Sequence, residues 1–313
     1  MELRSVYAQE MIKLAAKDPR LVIVEADLMR AAGMMPFKEA YPDRVFDMGV
    51  AESNMVGVAA GLAIMGKRPF VHSFTPFVTR RCFDQLTVSC AYAGLNVKVV
   101  GSDPGITAEV NGGTHMSVDD VNLMRGVPGM LVCEPVDEVS MRQLLPQFYA
   151  YPGIAYMRLF RKEPKAVYDE GSRLILGKAN LLRDGKDVAF IASGIMVANA
   201  LEAAKALAAE GVSAMVVDVH TIKPLDKELV LQAAGTCKAI VTCENHSIYG
   251  GLGSAVAECL AENAVGIPLA RIGFQDRYGE VGFRPYLEKA IGLSPEDLVR
   301  AAKEVRIQKE GVA

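Results

Sequence analysis

The chain has 313 residues, 51% hydrophobic and 23% charged, with a formal net charge of −3. That is the balance of an ordinary globular protein long enough for two domains. A near-neutral charge without a basic block or acidic tail argues against nucleic acid or an anionic membrane as partner. The amphipathic N-terminus "MELRSVYAQEMIKLAAKD" already carries acids and lacks a signal pattern, and no apolar run reaches the ~18 residues of a membrane span, so a cytoplasmic protein is expected.

In chain order, "RLVIVEAD" (20–27) reads as a strand. "DMGVAESNMVGVAAGLAIMGKRPFVHSF" (47–74) reads as a helix opened by Glu52, then a turn and a short strand ending near Phe74. "NVKVVGSD" (96–103) is a strand followed by the polar, Gly-rich "DPGITAEVNGGTHMSVDD". "GMLVCEP" (129–135) is another strand, a helix starts at Asp137, and "IAYMRL" (154–159) is a further strand. Uninterrupted apolar strands alternating with helices predict parallel sheets covered on both faces. Near 161–177 the pattern lapses into charge, Pro and Gly, which reads as a linker with an edge strand. The rhythm then restarts: a strand at 187–194, a helix at 195–211 closed by Gly211, the strand and exit loop "SAMVVDVHTIKPLD", the helix "DKELVLQAAGTC", the strand "KAIVTCEN", a helix opened by "GGLGSA", and the last strand "PLARIGF". The expected class is α/β with two domains, 1–165 and 178–313, joined by 166–177.

Several familiar chemistries are not supported. Cys82, Cys90, Cys133, Cys237, Cys243 and Cys259 sit in apolar contexts without a CxxC pair and read as buried reduced thiols. His72, His115, His220 and His246 are dispersed, and there is no GDG followed by Asn-x-Asn, so no metal site is expected within the chain. Ser193 in "IASGIM" does not fit a nucleophile elbow. "GGLGSA" (250–255) could cradle an anion at a helix start. It has neither the Lys-Ser/Thr of a P-loop nor the GxGxxG spacing with a ribose-binding acid, and a tight strand-to-helix turn explains it more simply.

The first domain holds a stronger constellation. By position alone Glu52 is a first-turn acid favoured by the helix dipole. Phe74 and Phe77, with Arg80 and Arg81 behind them in "SFTPFVTRRCFDQL", are by themselves core aromatics and surface arginines. His115 follows two glycines in a loop after a strand's carboxyl end, where open α/β sheets place ligands. It suits a helix entry and a site equally.

Taken together, these stretches resemble the thiamine-diphosphate enzymes of the transketolase family. "FDMGVAESNMVGVAAGLA" is similar to the segment with the family's invariant glutamate, "SFTPFVTRRCFDQL" to its aromatic segment, and "NGGTHMSVDDVNLMRGVPGMLVCEP" to its substrate loop and next strand. "HTIKPLD" and "CENHSIYGGLGSAV" resemble its C-terminal domain. The resemblance covers the pyrimidine-binding and C-terminal domains and lacks the diphosphate-binding domain, as in the C-terminal half, the B-type subunit, of a split transketolase. It implies that Glu52 hydrogen-bonds N1′ of the aminopyrimidine, that Phe74, Phe77 and Arg80 surround that ring, and that His115 touches a substrate oxygen. It further implies that Arg4 and Arg161 bind a sugar phosphate. Thiamine diphosphate would be shared with an N-terminal partner chain that holds Mg²⁺, two copies of each chain forming an α₂β₂ assembly active only as a pair. The sequence departs from the pattern at Ala31, where others have serine, at Asp103, where others have histidine, and at Asn111, where an aspartate meets the substrate's hydroxyls. An altered sugar substrate is therefore expected. The competing expectations are the β subunit of a 2-oxoacid dehydrogenase, a non-catalytic structural subunit of the same fold, and a nucleotide-binding protein resting on "GGLGSA".

Overall fold

The computed structural model describes residues 1–310, with side chains through Ile307. The chain forms two compact units, one from residues 1–104 and 123–176, the other from 105–122 and the chain from 177 onward.

In the first unit α1 (Leu3–Lys17) precedes β1 (Leu21–Glu25), and α2 (Met35–Ala40) leads to the short β2 (Val45–Asp47). Then follow α3 (Glu52–Ile64), β3 (Arg68–Phe74), a single turn α4 (Thr75–Val78), a π-helical segment Gln85–Tyr92 and β4 (Lys98–Ser102). After the 105–122 segment, α5 (Asp120–Gly126), β5 (Leu131–Cys133), α6 (Glu138–Ala150) and β6 (Ala155–Leu159) complete it. The strands lie in the order β5-β6-β4-β3-β1-β2, with parallel pairing. β1, β4 and β6 are buried at every position, which is why their sequences run apolar without alternation. The register aligns the carboxyl ends: Glu25 pairs with His72, Phe74 with Ser102, and Ser102 with Leu159. Side chains at or just beyond these positions therefore share one edge.

In the second unit β7 (Asn180–Arg183), β8 (Val188–Ala192), α7 (Met196–Ala209) and β9 (Ala214–Asp218) are followed by β10 (Thr221–Lys223) and α8 (Lys227–Thr236). β11 (Ile240–Ser247), α9 (Leu252–Glu262), β12 (Leu269–Phe274), α10 (Arg284–Ile291) and α11 (Pro295–Glu310) close the chain. The sheet order is β12-β11-β8-β9-β7, parallel except for β7, which runs antiparallel to β9. Ile191, Met215, Val217, Val230, Val256 and Leu260 form its core. Both units are thus mainly parallel sheets covered by helices, the expected class.

One local expectation is corrected. The edge strand sought within 161–177 lies just beyond it, at β7. The linker's backbone is satisfied instead by side chains of the α6 segment. Asp137 Oδ2 accepts from the amides of Val167 and Tyr168 at 2.8 and 2.7 Å, while Gln143 and Gln147 bond the backbone of Ser172, Leu174 and Leu176. The same Asp137 caps α6, accepting from the Ser140 amide at 2.9 Å. Coil can be as well tied down as a strand when polar side chains answer its amides.

Candidate functional site

Glu52 is the first residue of α3 and is 2% exposed. Its carboxylate accepts from the Ser73 hydroxyl at 3.1 Å and from Arg81 Nη1 at 2.6 Å. The ion pair is made by Arg81, one residue beyond the Arg80 singled out in sequence. Arg81 also lies over the Phe77 ring, 4.3 Å from its centroid. Phe77 meets Phe74 edge-on, with centroids 6.2 Å apart at 79°. A further arginine, Arg161, sits 4.9 Å over Phe74. A continuous line of contacts therefore runs from Glu52 through Arg81, Phe77 and Phe74 to Arg161.

At the far end of that line Arg161 meets Asp103. The Arg161 amide donates to Asp103 Oδ1 at 3.2 Å, and its guanidinium pairs with Oδ2. Burial pushes the Asp103 carboxyl up, and Arg161 opposes that shift. Arg161 Nη1 and Arg4 Nη1 both donate to the Ala31 carbonyl at 3.1 Å. The Arg4 amide donates to the Arg161 carbonyl at 3.3 Å. Arg4, Ala31, Asp103 and Arg161, scattered over the sequence, thus form one cluster. Asp103 does not stand as a bare negative charge in it, because Arg161 neutralises it.

Beside this cluster lies a buried network around His72, one of the histidines that are dispersed in the sequence. Tyr7 Oη lies 2.7 Å from His72 Nε2, and His72 Nδ1 lies 2.7 Å from Glu25 Oε1. Burial raises the Glu25 carboxyl and the Tyr7 phenol, which favours the protonated form of each. Tyr7 and His72, with Ser73, Ser102 and Leu159, line a small internal cavity. Nothing in the run "PFVHSF" marks His72, because its partners lie 65 and 47 residues away.

Asn111 and His115 belong to the second unit. Asn111 is exposed and His115 half-buried. His115 Nδ1 lies 3.0 Å from Thr114 Oγ1, and the His115 amide donates to the Gly112 carbonyl at 3.0 Å. The loop is sharply turned, with positive φ at Gly105 (52°), Glu109 (47°) and Gly112 (75°).

The glycine run at the start of α9 is not an open anion seat. Glu244, 1% exposed, accepts from the Leu252 amide at 2.7 Å and the Gly253 amide at 2.8 Å. The protein's own carboxylate fills the place a phosphate would take, and the run serves a tight turn. All six cysteines are buried free thiols. Among the described residues no group of three or more His, Cys, Asp or Glu comes together as a metal site, and no helix is long and apolar enough to cross a membrane.

Comparison with known proteins agrees with this fold. Residues 1–165 match the profile of the transketolase pyrimidine binding domain, and residues 177–298 that of the transketolase C-terminal domain. The chain belongs to the transketolase family. It is 54% identical over 307 residues to the 6-deoxy-6-sulfo-D-fructose transketolase subunit SqwH of Clostridium sp. (strain MSTE9), covering 98% of this chain and 95% of that one. It is 34% identical to an apulose-4-phosphate transketolase subunit of Actinobacillus succinogenes, over 96% of this chain and 97% of the relative. A solved split gene transketolase, described as an inactive β4 tetramer, superposes with a TM-score of 0.88 at 38% identity, over 99% of both chains. A 1-deoxy-D-xylulose-5-phosphate synthase from Thermomicrobium roseum, 37% identical, is matched over 94% of this chain but only 47% of its own length. The chain is thus of the C-terminal, split-subunit type.

Proposed function

We propose that this chain is the pyrimidine-binding subunit of a split, thiamine-diphosphate-dependent transketolase that moves a two-carbon ketol unit from a ketose to an aldose. It works only with a separate N-terminal subunit carrying the diphosphate and Mg²⁺ site. The observation that carries the reading is Glu52, a buried carboxylate oriented by Ser73 and Arg81 beside the paired rings of Phe74 and Phe77. An aminopyrimidine needs one carboxyl at a ring nitrogen and apolar surface against its faces, and these residues offer both. Glu52 would hold N1′, with Phe74, Phe77 and Arg80 around the ring. When bound, the cofactor supplies the electron sink for the two-carbon fragment.

The remaining roles belong to this chain's own groups. Glu52 shares a proton with the ring nitrogen, and Arg81 and Ser73 fix the carboxylate's direction. The phenyl rings exclude water from it. His115 hydrogen-bonds a hydroxyl or carbonyl oxygen of the sugar, Asn111 a further hydroxyl, and Arg4 and Arg161 hold the sugar's terminal anion.

The charge of that anion site narrows the substrate. Arg4 also pairs with Glu2 Oε2 at 2.8 Å, so at this site two guanidinium groups face two carboxylates, Asp103 and Glu2, and no net positive charge is left over. A monoanionic terminus suits it better than a dianionic phosphate, because the Asp103 charge works against the second negative charge. We infer that a ketose with a terminal sulfonate is used in preference to the corresponding phosphate, as in the sulfofructose named for the Clostridium relative. Exposed large apolar side chains support assembly with a second copy of this chain: Ile64 and Met65 at the end of α3 are exposed at 73% and 81%, with Val50, Val88 and Tyr92 also exposed.

The test is reconstitution. The purified chain with thiamine diphosphate and Mg²⁺ should show no turnover, and addition of the N-terminal subunit should restore ketol transfer, fastest on sulfonated ketoses. Turnover by this chain alone refutes the split-site reading. A clear preference for xylulose and ribose phosphates refutes the substrate reading. Glu52→Ala should abolish transfer in the reconstituted pair without abolishing assembly.

A further inference from the structure

The segment 105–122 follows strand β4 of the first sheet, yet it packs as part of the C-terminal unit. The loop closes on itself through the Gly105 amide, which donates to the Ser117 carbonyl at 2.9 Å. The residues at the carboxyl end of β11 then hold it. Asn245, fully buried, accepts the Ile106 amide on Oδ1 at 2.9 Å. The Ser247 amide donates to the Val118 carbonyl at 2.9 Å. His246 donates from Nδ1 to the Ser247 carbonyl at 2.7 Å, which leaves Nε2 to accept the Asn122 amide at 3.4 Å.

The loop that follows β12 covers the other side. A Cβ added at Gly113 would lie 2.5 Å from the Gly279 carbonyl oxygen, and one at Gly112 would lie 2.9 Å from Val281. One at Gly279 would strike Met116. At Gly113 backbone meets backbone, and only glycine permits that approach; Gly112 and Gly279 meet the side chains of Val281 and Met116.

We propose that the C-terminal unit is the mould of the His115 loop, with Asn245 as its positioning residue and the loop around Gly279 as its outer wall. This rests on the transketolase reading for the role of His115 and goes beyond it. A domain without cofactor-binding groups of its own acts in the reaction by fixing where one substrate-touching side chain stands. Three of the loop's backbone amides and carbonyls are answered by residues more than 100 positions away. Loss of one answer leaves a buried amide unpaired and frees the loop around it.

Hydrogen exchange on the full chain tests the mould directly, and kinetics on the reconstituted pair test its consequence. In Asn245→Ala the amides of residues 106–118 should exchange about tenfold faster, the effect of one lost buried hydrogen bond. Exchange in β1 and β8 should be unchanged. Gly113→Ala disturbs the outer wall without touching the core and should loosen the same residues. With the partner subunit, Asn245→Ala and Gly113→Ala should lower kcat at least about tenfold while thiamine diphosphate affinity holds. Unchanged exchange at 106–118 in both variants overturns the mould. Faster exchange with unaltered kcat overturns the link to reactivity. If the wild-type pair lacks transketolase activity, the function reading fails while the exchange result still decides the mould.

Discussion

Arg81→Met is the sharpest perturbation of the candidate site. The Glu52 carboxylate is 2% exposed and holds two partners, and the Arg81 side chain that supplies the ion pair is 46% exposed. An ion pair fully in solvent contributes about 0.2–1 kcal/mol, and breaking a fully buried one costs about 3–5 kcal/mol. A pair with one buried and one half-exposed member falls between, at about 2 kcal/mol. The guanidinium over Phe77 at 4.3 Å adds about 0.5–1 kcal/mol. Arg81→Met should therefore destabilise the chain by about 2–3 kcal/mol. In a Glu52→Gln background the ion pair is already gone, so the same substitution should cost only about 1 kcal/mol. Urea unfolding of the wild type, both single variants and the double variant gives the coupling energy from one cycle. A coupling of about 1–2 kcal/mol is expected, reduced in high salt because Arg81 is partly exposed. Coupling below about 0.5 kcal/mol refutes the reasoning, because the two groups would then be adjacent without depending on one another.

Three further outcomes follow from buried groups. The Lys98 amine, which donates to the carbonyls of Tyr151 and Gly153, is pushed down to about 7, chiefly by burial. The native state then binds fewer protons than the unfolded chain between about 7 and the ordinary lysine value, so this residue's share of stability rises with pH across that window. A Lys98→Met variant should show a flatter dependence of its unfolding midpoint between about pH 7 and 9; parallel curves refute the assignment. Burial likewise pushes the His220 ring down to about 4, so its share of stability is present above the ordinary histidine value and is lost as pH falls toward 4. His220→Gln should resist that acid loss, read by thermal unfolding at about pH 6.5 and 4.5. A Cβ at Gly251 would lie 1.9 Å from Glu244 Oε2. Gly251→Ala should thus dislodge the carboxylate that caps α9 and cost about 3 kcal/mol. A melting temperature equal to wild type shows that the cap is not needed.

Two α/β units, and the C-terminal half of a split enzyme that they make, are legible in the sequence alone. Strands buried on both faces must be apolar throughout, and the runs at 20–27, 96–103 and 187–194 report that burial without any tertiary information. By position alone Glu52 was a first-turn acid, and only the resemblance of its segment to the family's glutamate segment singled it out. The sequence pointed to Arg80 through the resemblance and left Arg81 a surface arginine, since neighbours after a one-turn helix differ only in the direction that packing assigns them. It was silent on His72, whose partners Tyr7 and Glu25 approach only when α1, β1 and β3 are assembled. It joined the His115 loop to the first domain by adjacency, whereas Asn245 captures that loop from 139 residues away. Periodicity records which face of an element is buried, a property of neighbouring residues. Which buried side chain meets which is decided by sheet register and chain crossing, and those exist only in the folded structure.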